Sequence, residues 1–252
     1  MDLGISGKKA VVAASSAGLG LASAQALAAE GVQVAICGRS QDKVDAALAT
    51  LPTVAAGDHV ALVADVGTAD GASSFVQRAV AALGGIDVLV PNAGGPPPGN
   101  FASTPLDAYL PALQLNLLST VAMCQAAVPS LVDQGWGRII AITSHSVRQP
   151  VANLILSNTA RAGVTGFLKT LATEIARHGV TVNSVQPGVH ATDRMKQLHA
   201  GNIDDAGRSI PTGVVGRAED FGAVVAFLCS DHARFITGTA VPVDGGAFQA
   251  LQ

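Results

Sequence analysis

The first residues with chemical promise are Ala13-Ala14-Ser15-Ser16-Ala17-Gly18-Leu19-Gly20, which follow a short apolar run and lead into Ala-rich sequence. Gly18 lets a backbone come close to a ligand, and Gly20 lets a helix lie against a strand. A helix starting here turns its free N–H groups and the positive end of its dipole toward an anion such as a pyrophosphate. A lone G-x-G also marks ordinary tight turns, so position decides: strand, glycine turn and helix stand in the first βα unit of a chain that repeats the pattern. The next apolar run closes on Cys37-Gly38-Arg39-Ser40, where an NAD site would place a carboxylate against the ribose 2′-hydroxyl. Gly38 leaves room there and Arg39 offers a planar cationic fork to a 2′-phosphate. NADP(H) is favoured, with NAD(H) as the alternative.

The elements that must position these residues are legible as alternation. Strands are expected near Lys9–Ala14, Val32–Gly38, His59–Ala64, Asp87–Pro91, Arg138–Thr143, Thr181–Gln186 and Thr239–Val243, with helical periods between them. Such alternation is the sequence form of a parallel sheet covered on both faces. A helix should start at Thr104-Pro105-Leu106-Asp107, with a cap hydroxyl, a proline at the first helical position and a carboxylate at the positive end. Another is periodic at Val164, Phe167, Leu168, Leu171 and Ile175 and stops at Gly179. No internal linker divides residues 1–252, so one domain is expected. The weakly periodic segment 192–216 is a candidate substrate lid.

With 49% hydrophobic and 13% charged residues, the 252-residue chain can bury a large core. A net charge of -3 without a basic run argues against nucleic-acid binding. Cys37, Cys124 and Cys229 form no C-x-x-C pair, which fits buried thiols in a reducing, cytoplasmic setting. The six histidines form no metal-ligand pattern, and no metal is expected. Two uncharged stretches mimic membrane segments. Ser15, Ser16, Gly18, Gly20, Ser23 and Gln25 break the first, Ala10 to Ala29. Pro111, Gln114, Asn116, Gln125 and Pro129 break the second, Ala108 to Val132, which reads as a buried helix able to pack on another subunit rather than in a membrane.

Taken in order, the Gly18/Gly20 turn, Asp65-Val66, Asn92-Ala93-Gly94, Asn116, Ser144, Pro187-Gly188 with Thr192, and Asp244-Gly245-Gly246 resemble the short-chain dehydrogenase/reductase family along almost the whole chain. The resemblance implies a single-domain Rossmann fold, doubly wound, with a seven-stranded parallel sheet in the order 3-2-1-4-5-6-7. It implies an NAD(P)-dependent oxidoreductase acting on a small molecule, commonly a homotetramer or homodimer paired through its long helices. Ser15, Ser16, Gly18, Leu19, Gly20 and Arg39 would then hold the phosphates. Asp65 and Val66 would hold the adenine, Asn92, Ala93 and Gly94 the adenosine ribose side, and Pro187, Gly188 and Thr192 the nicotinamide.

Two positions depart from the family. Its turn opens with Thr and Gly where this chain has Ala13 and Ala14. Its catalytic Tyr-x-x-x-Lys begins thirteen residues after the serine, and here that segment reads Ser157-Asn158-Thr159-Ala160-Arg161. The one tyrosine, Tyr109, lies in a different element and is assigned to packing. Lys169 lies roughly 12 Å along the helix from Arg161, too far to replace it. Ser144 and Ser157 can still polarise an oxygen, and Arg161 can bond the nicotinamide ribose and supply charge. The relay through lysine and Asn116, however, is interrupted.

His145 is a substitute proton donor by type, but adjacent strand-end residues tend to face opposite ways, which favours a surface position. His190, two residues past Gly188, is weighed in the same way. Serine in the tyrosine's place resembles the dienoyl-CoA reductase branch, which keeps its lysine. The reading is an atypical NADP(H)-dependent reductase of a small, mainly apolar carbonyl or enone compound, with a nucleotide-binding pseudoenzyme of regulatory or scaffold role as the alternative. Its pocket would be built from Pro96 to Phe101, Val147 to Leu156 and segment 192–216.

Overall fold

The computed structural model describes residues 1–198 and 203–250. Seven strands, β1 (Lys9–Val12), β2 (Gln33–Gly38), β3 (Val60–Val63), β4 (Val88–Val90), β5 (Gly137–Ile142), β6 (Val180–Pro187) and β7 (Ala240–Val243), form one sheet. Its order is β3-β2-β1-β4-β5-β6-β7, with every neighbouring pair parallel. Both faces are covered, which is why the strands read as unbroken apolar runs. Alternate residues of β1 point to opposite cores. Val11 joins Phe75, Met123 and Leu168, whereas Ala10 and Val12 join Leu27, Phe221 and Val225.

One face carries α1 (Gly18–Ala29), α2 (Gln41–Leu48) and α9 (Ala218–Cys229). The other carries α3 (Ala69–Leu83), α4 (Tyr109–Leu113), α5 (Ser119–Asp133) and α6 (Ile155–Ile175). On α6 the expected stripe is buried at Val164, Leu168 and Ile175, and the chain leaves helical geometry at Gly179, where φ is +74°. The reading at Thr104 needs correction. The first turn is a 3-10 turn, Leu106–Ala108, with Pro105 in the extended cap position and no side-chain cap bond. Thr104 therefore lies outside the helix, one residue earlier than its hydroxyl would need to be.

Helix from Leu106 to Asp133 is continuous, and by length and composition it could cross a membrane. Its buried side, including Ala112, Met123, Cys124, Ala127 and Leu131, packs into the protein core. Segment 192–216 contains α7 (Asp193–Leu198) and α8 (Ile203–Arg208). The part of the expected lid at 199–202 lies outside the described residues.

Candidate active site

All the βα loops that the site needs leave the same edge of the sheet, because every strand runs the same way. After β1, the Ser15 hydroxyl donates to Val12 O at 2.7 Å and accepts from Cys37 N at 3.0 Å, while the Ser15 amide donates to Cys37 O. Ser15 thus pins the turn to β2 and shapes the cradle from behind. Ala14 has φ +45°, a left-handed conformation that glycine adopts without cost. At Gly20 an added Cβ would stand 2.6 Å from Ala14 O and 2.8 Å from Asn92 Nδ2. That absent side chain is what lets α1 reach the sheet.

Helix α1 starts at Gly18 (φ +60°) with Ala17 before it, so no side-chain cap and no acidic residue occupies its first turn. Its leading N–H groups are left for an anion. Thr192 faces Gly18, with Cγ2 3.7 Å from where a Cβ would stand. This uncapped, side-chain-poor cradle fits a dinucleotide pyrophosphate.

Ser16 lies against Gly38, where a Cβ would come within 2.6 Å of its Oγ, so the turn adjoins the end of β2 and the exposed Arg39. After β3, Asp65 is exposed and accepts from Gly67 N, and Val66 is buried. After β4, Asn92 Nδ2 donates to Ala14 O at 3.2 Å, tying two loops of the cradle together.

One cavity of about 350 Å³ joins these loops to the ends of β5 and β6. Gly18, Leu19, Gly20, Asn92, Ala93 and Gly94 line one side of it. Ser144, His145, Ser157, Arg161, Pro187, Gly188 and Thr192 also line it. Ser15, Ser16, Arg39, Asp65, Val66 and Asn116 stand outside its lining. Asn116 acts from behind: it is buried in a single π-helical turn, Gln114–Leu118, and its Nδ2 donates to Gly94 O at 2.9 Å. Such one-turn bulges concentrate at functional sites because they re-aim a side chain within a helix.

Ser144 Oγ accepts from Ser146 N at 3.1 Å, which leaves its own proton to donate into the cavity. Arg161 lies against the end of β5, its Nη1 donating to Ile142 O and Thr143 O at 3.2 and 3.1 Å. Burial, with a smaller contribution from the Arg194 charge, lowers Arg161 to about 10, so it remains cationic at neutral pH. Lys169 is engaged elsewhere, donating to Gly238 O. Tyr109 does not line the cavity.

His145 corrects the sequence reading. The strand ends at Ile142 and a 3-10 turn begins at His145, so strand alternation no longer applies and the residue lines the cavity beside Ser144. Its Nδ1 lies 3.0 Å from Pro187 O. His190 also lines the cavity, but it is buried, edge-on to Phe221, and burial pushes it toward the neutral form.

Sequence reading missed Arg194, whose Nη2 donates to Pro96 O at 3.0 Å and links the loop after β6 to the loop after β4. Its place one residue into a helix that follows Thr192 was the available signal. The expected pocket loops contribute Pro96, Leu154 and residues Thr192 to Met195. Burial raises the thiols of Cys37, Cys124 and Cys229 to about 12, which removes them from nucleophilic chemistry.

A family model described as enoyl-(acyl carrier protein) reductase matches residues 13–247. Dehydrogenase/reductase SDR family member 4 of Sus scrofa is 34% identical, over 97% of this chain and 88% of its own length. The L-rhamnose 1-dehydrogenase (NAD(P)(+)) of Azotobacter vinelandii is also 34% identical, over 97% and 98%. Among solved structures, L-sorbose reductase from Gluconobacter frateurii, complexed with NADPH and L-sorbose, superposes with a TM-score of 0.91 at 29% identity over the full length of both chains. The chain belongs to the short-chain dehydrogenase/reductase family of NAD(P)-dependent oxidoreductases.

Proposed function

We propose that this protein is an NADP(H)-dependent reductase of a small, mainly apolar carbonyl or enone compound, working without the family's phenol and ammonium. The observation that carries this reading is the shared cavity, in which the uncapped start of α1 opens onto Ser144, Ser157 and Arg161. When bound, the dinucleotide supplies hydride. Asn92 and Asn116 brace the β4 loop; Gly18 to Gly20 would seat the phosphates, and Pro187, Gly188 and Thr192, which line the same cavity, would flank the nicotinamide. Ser144 and Ser157 donate hydrogen bonds to the substrate oxygen. Arg161 bonds the nicotinamide ribose and places positive charge beside the developing oxyanion. Arg39, exposed and free to turn, receives the 2′-phosphate.

A pseudoenzyme reading has one observation in its favour, the absence of tyrosine and lysine from the cavity lining. A single experiment separates the two: steady-state turnover of ketones and enones with NADPH deuterated at C4. Stereospecific label in the product, well above a Ser144→Ala control, supports the reductase. Tight NADPH binding without label transfer supports the pseudoenzyme. In the same assay Arg39→Glu should lower the NADPH-over-NADH preference about tenfold, the loss of roughly 1.4 kcal/mol of differential binding.

The same reading takes the chain as a homotetramer or homodimer. Leu106, Leu110 and Leu118 are exposed along one long helix, and Gly166 presents an open, flat position on α6. Light scattering would count the subunits, and a monomer at micromolar concentration would refute this assignment.

A further inference from the structure

We propose that His145 is the proton donor of the reaction, taking the task that a phenol would otherwise perform. This rests on the reductase reading above and adds a catalytic residue to it.

The first argument is elimination. The described residues lining the cavity include no tyrosine, cysteine, lysine or glutamate. The hydroxyls of Thr143, Ser144, Ser157 and Thr192 donate hydrogen bonds but are too weakly acidic to give up a proton readily. Arg161 and Arg194 likewise donate hydrogen bonds rather than protons. Asp193 is exposed and faces Lys196 at 3.6 Å, an ion pair that occupies its carboxylate. Two histidines are left.

Of these, His190 is the more buried, with its Nδ1 3.2 Å from Gly188 O. Its ring is 3% exposed, edge-on to Phe221 with centroids 5.3 Å apart, and so close to Gly216 that a Cβ there would stand 2.7 Å from its Cδ2. Burial pushes that imidazole toward the neutral form. His145 is only half-buried and stands next to Ser144.

The second argument is orientation. Pro187 O can only accept, so the 3.0 Å contact requires His145 Nδ1 to carry the proton. Nε2 is then the nitrogen left to exchange a proton with a substrate. A histidine held through one nitrogen and free to exchange a proton through the other is the usual arrangement of a general acid. Pro187 ends β6 immediately before Gly188, so the carbonyl that orients the ring belongs to the loop flanking the nicotinamide side. In reduction, the substrate carbon gains hydride from the reduced dinucleotide and its oxygen gains the Nε2 proton. The products are an alcohol, the oxidised dinucleotide and a neutral imidazole that water reprotonates. For an enone the same proton completes the enolate-like product.

The charged neighbours are few. Arg161 faces the site from α6, β6 carries no titratable side chain, and Arg148, on the turn itself, is drawn off to Ala240 O at 3.2 Å. Arg194, Asp193 and His190 complete the set lining the cavity.

The test uses the NADPH-loaded protein and a ketone it turns over. His145→Gln keeps a donor for Pro187 O but has no proton to give, and it should lower kcat about a hundredfold with NADPH affinity unchanged. His145→Ala should fall similarly and recover in part on adding imidazole, a rescue that a packing role would not give. The pH profile of kcat should change in both variants, a difference that a packing role would not produce. Independently of turnover, ¹⁵N spectra of the imidazoles should show His145 as the Nδ1–H tautomer when neutral. Wild-type turnover with an unchanged His145→Gln variant, or an Nε2–H tautomer, overturns the assignment of His145 alone. A wild type that never transfers hydride overturns the reductase reading and this assignment together.

Discussion

The two walls of the cleft differ in what they are made of. The wall formed by the ends of β1 and β4 and the start of α1 is largely backbone: N–H groups at Gly18 to Gly20, carbonyls at Ala14 and Gly94, and two asparagine amides that lace them together. The wall formed by the ends of β5 and β6 with α6 is side chains: Ser144, His145, Ser157 and Arg161. A backbone wall tolerates changes of side chain so long as φ and ψ survive. A side-chain wall changes chemistry with each substitution. A chain can thus keep its backbone cradle while the side chains facing it change.

The contrast can be broken most severely at Gly20. Gly20→Ala places a Cβ where Ala14 O and Asn92 Nδ2 already stand, so α1 must retreat from the sheet. NADPH affinity, followed by fluorescence titration, should fall by about a hundredfold, close to 3 kcal/mol. Unchanged affinity would show that the cradle does not depend on this close approach. At Ala14 the expected effect is smaller and of opposite sign. Its φ of +45° costs an L-residue roughly 1–2 kcal/mol, part of which is offset by the extra freedom glycine has in the unfolded chain. Ala14→Gly should therefore raise the thermal midpoint by a few degrees and leave NADPH binding equal or tighter. A lower midpoint would mean that the Ala14 methyl packs better than its backbone suffers.

The backbone wall was also the more legible in the sequence. Strands buried on both faces announce themselves as continuous apolar runs, and β1, β2, β5 and β6 begin and end within one or two residues of expectation. The glycines at 18 and 20 carry their reason in their lack of a side chain.

What escaped the reading depends on local geometry that residue type does not encode. Strand alternation favours a surface or loop position for His145, but it stops at Ile142, and the 3-10 turn that follows sets the residue's direction. The π-helical turn that aims Asn116 at Gly94 inserts an extra residue into the helical repeat, and no composition signal marks it. Arg194 reaches Pro96 across ninety-eight residues of sequence, a contact that only the fold can create.

The central claim is that Ser157 and Arg161 stand where the family's phenol and ammonium would stand. Its most direct test is the double variant Ser157→Tyr with Arg161→Lys, assayed for ketone reduction beside NADPH binding. Restoring the phenol and its lysine should raise turnover at least about tenfold, within the range of general acid catalysis, with NADPH affinity unchanged. Equal or lower turnover at unchanged affinity would place the reacting centre elsewhere and contradict the account.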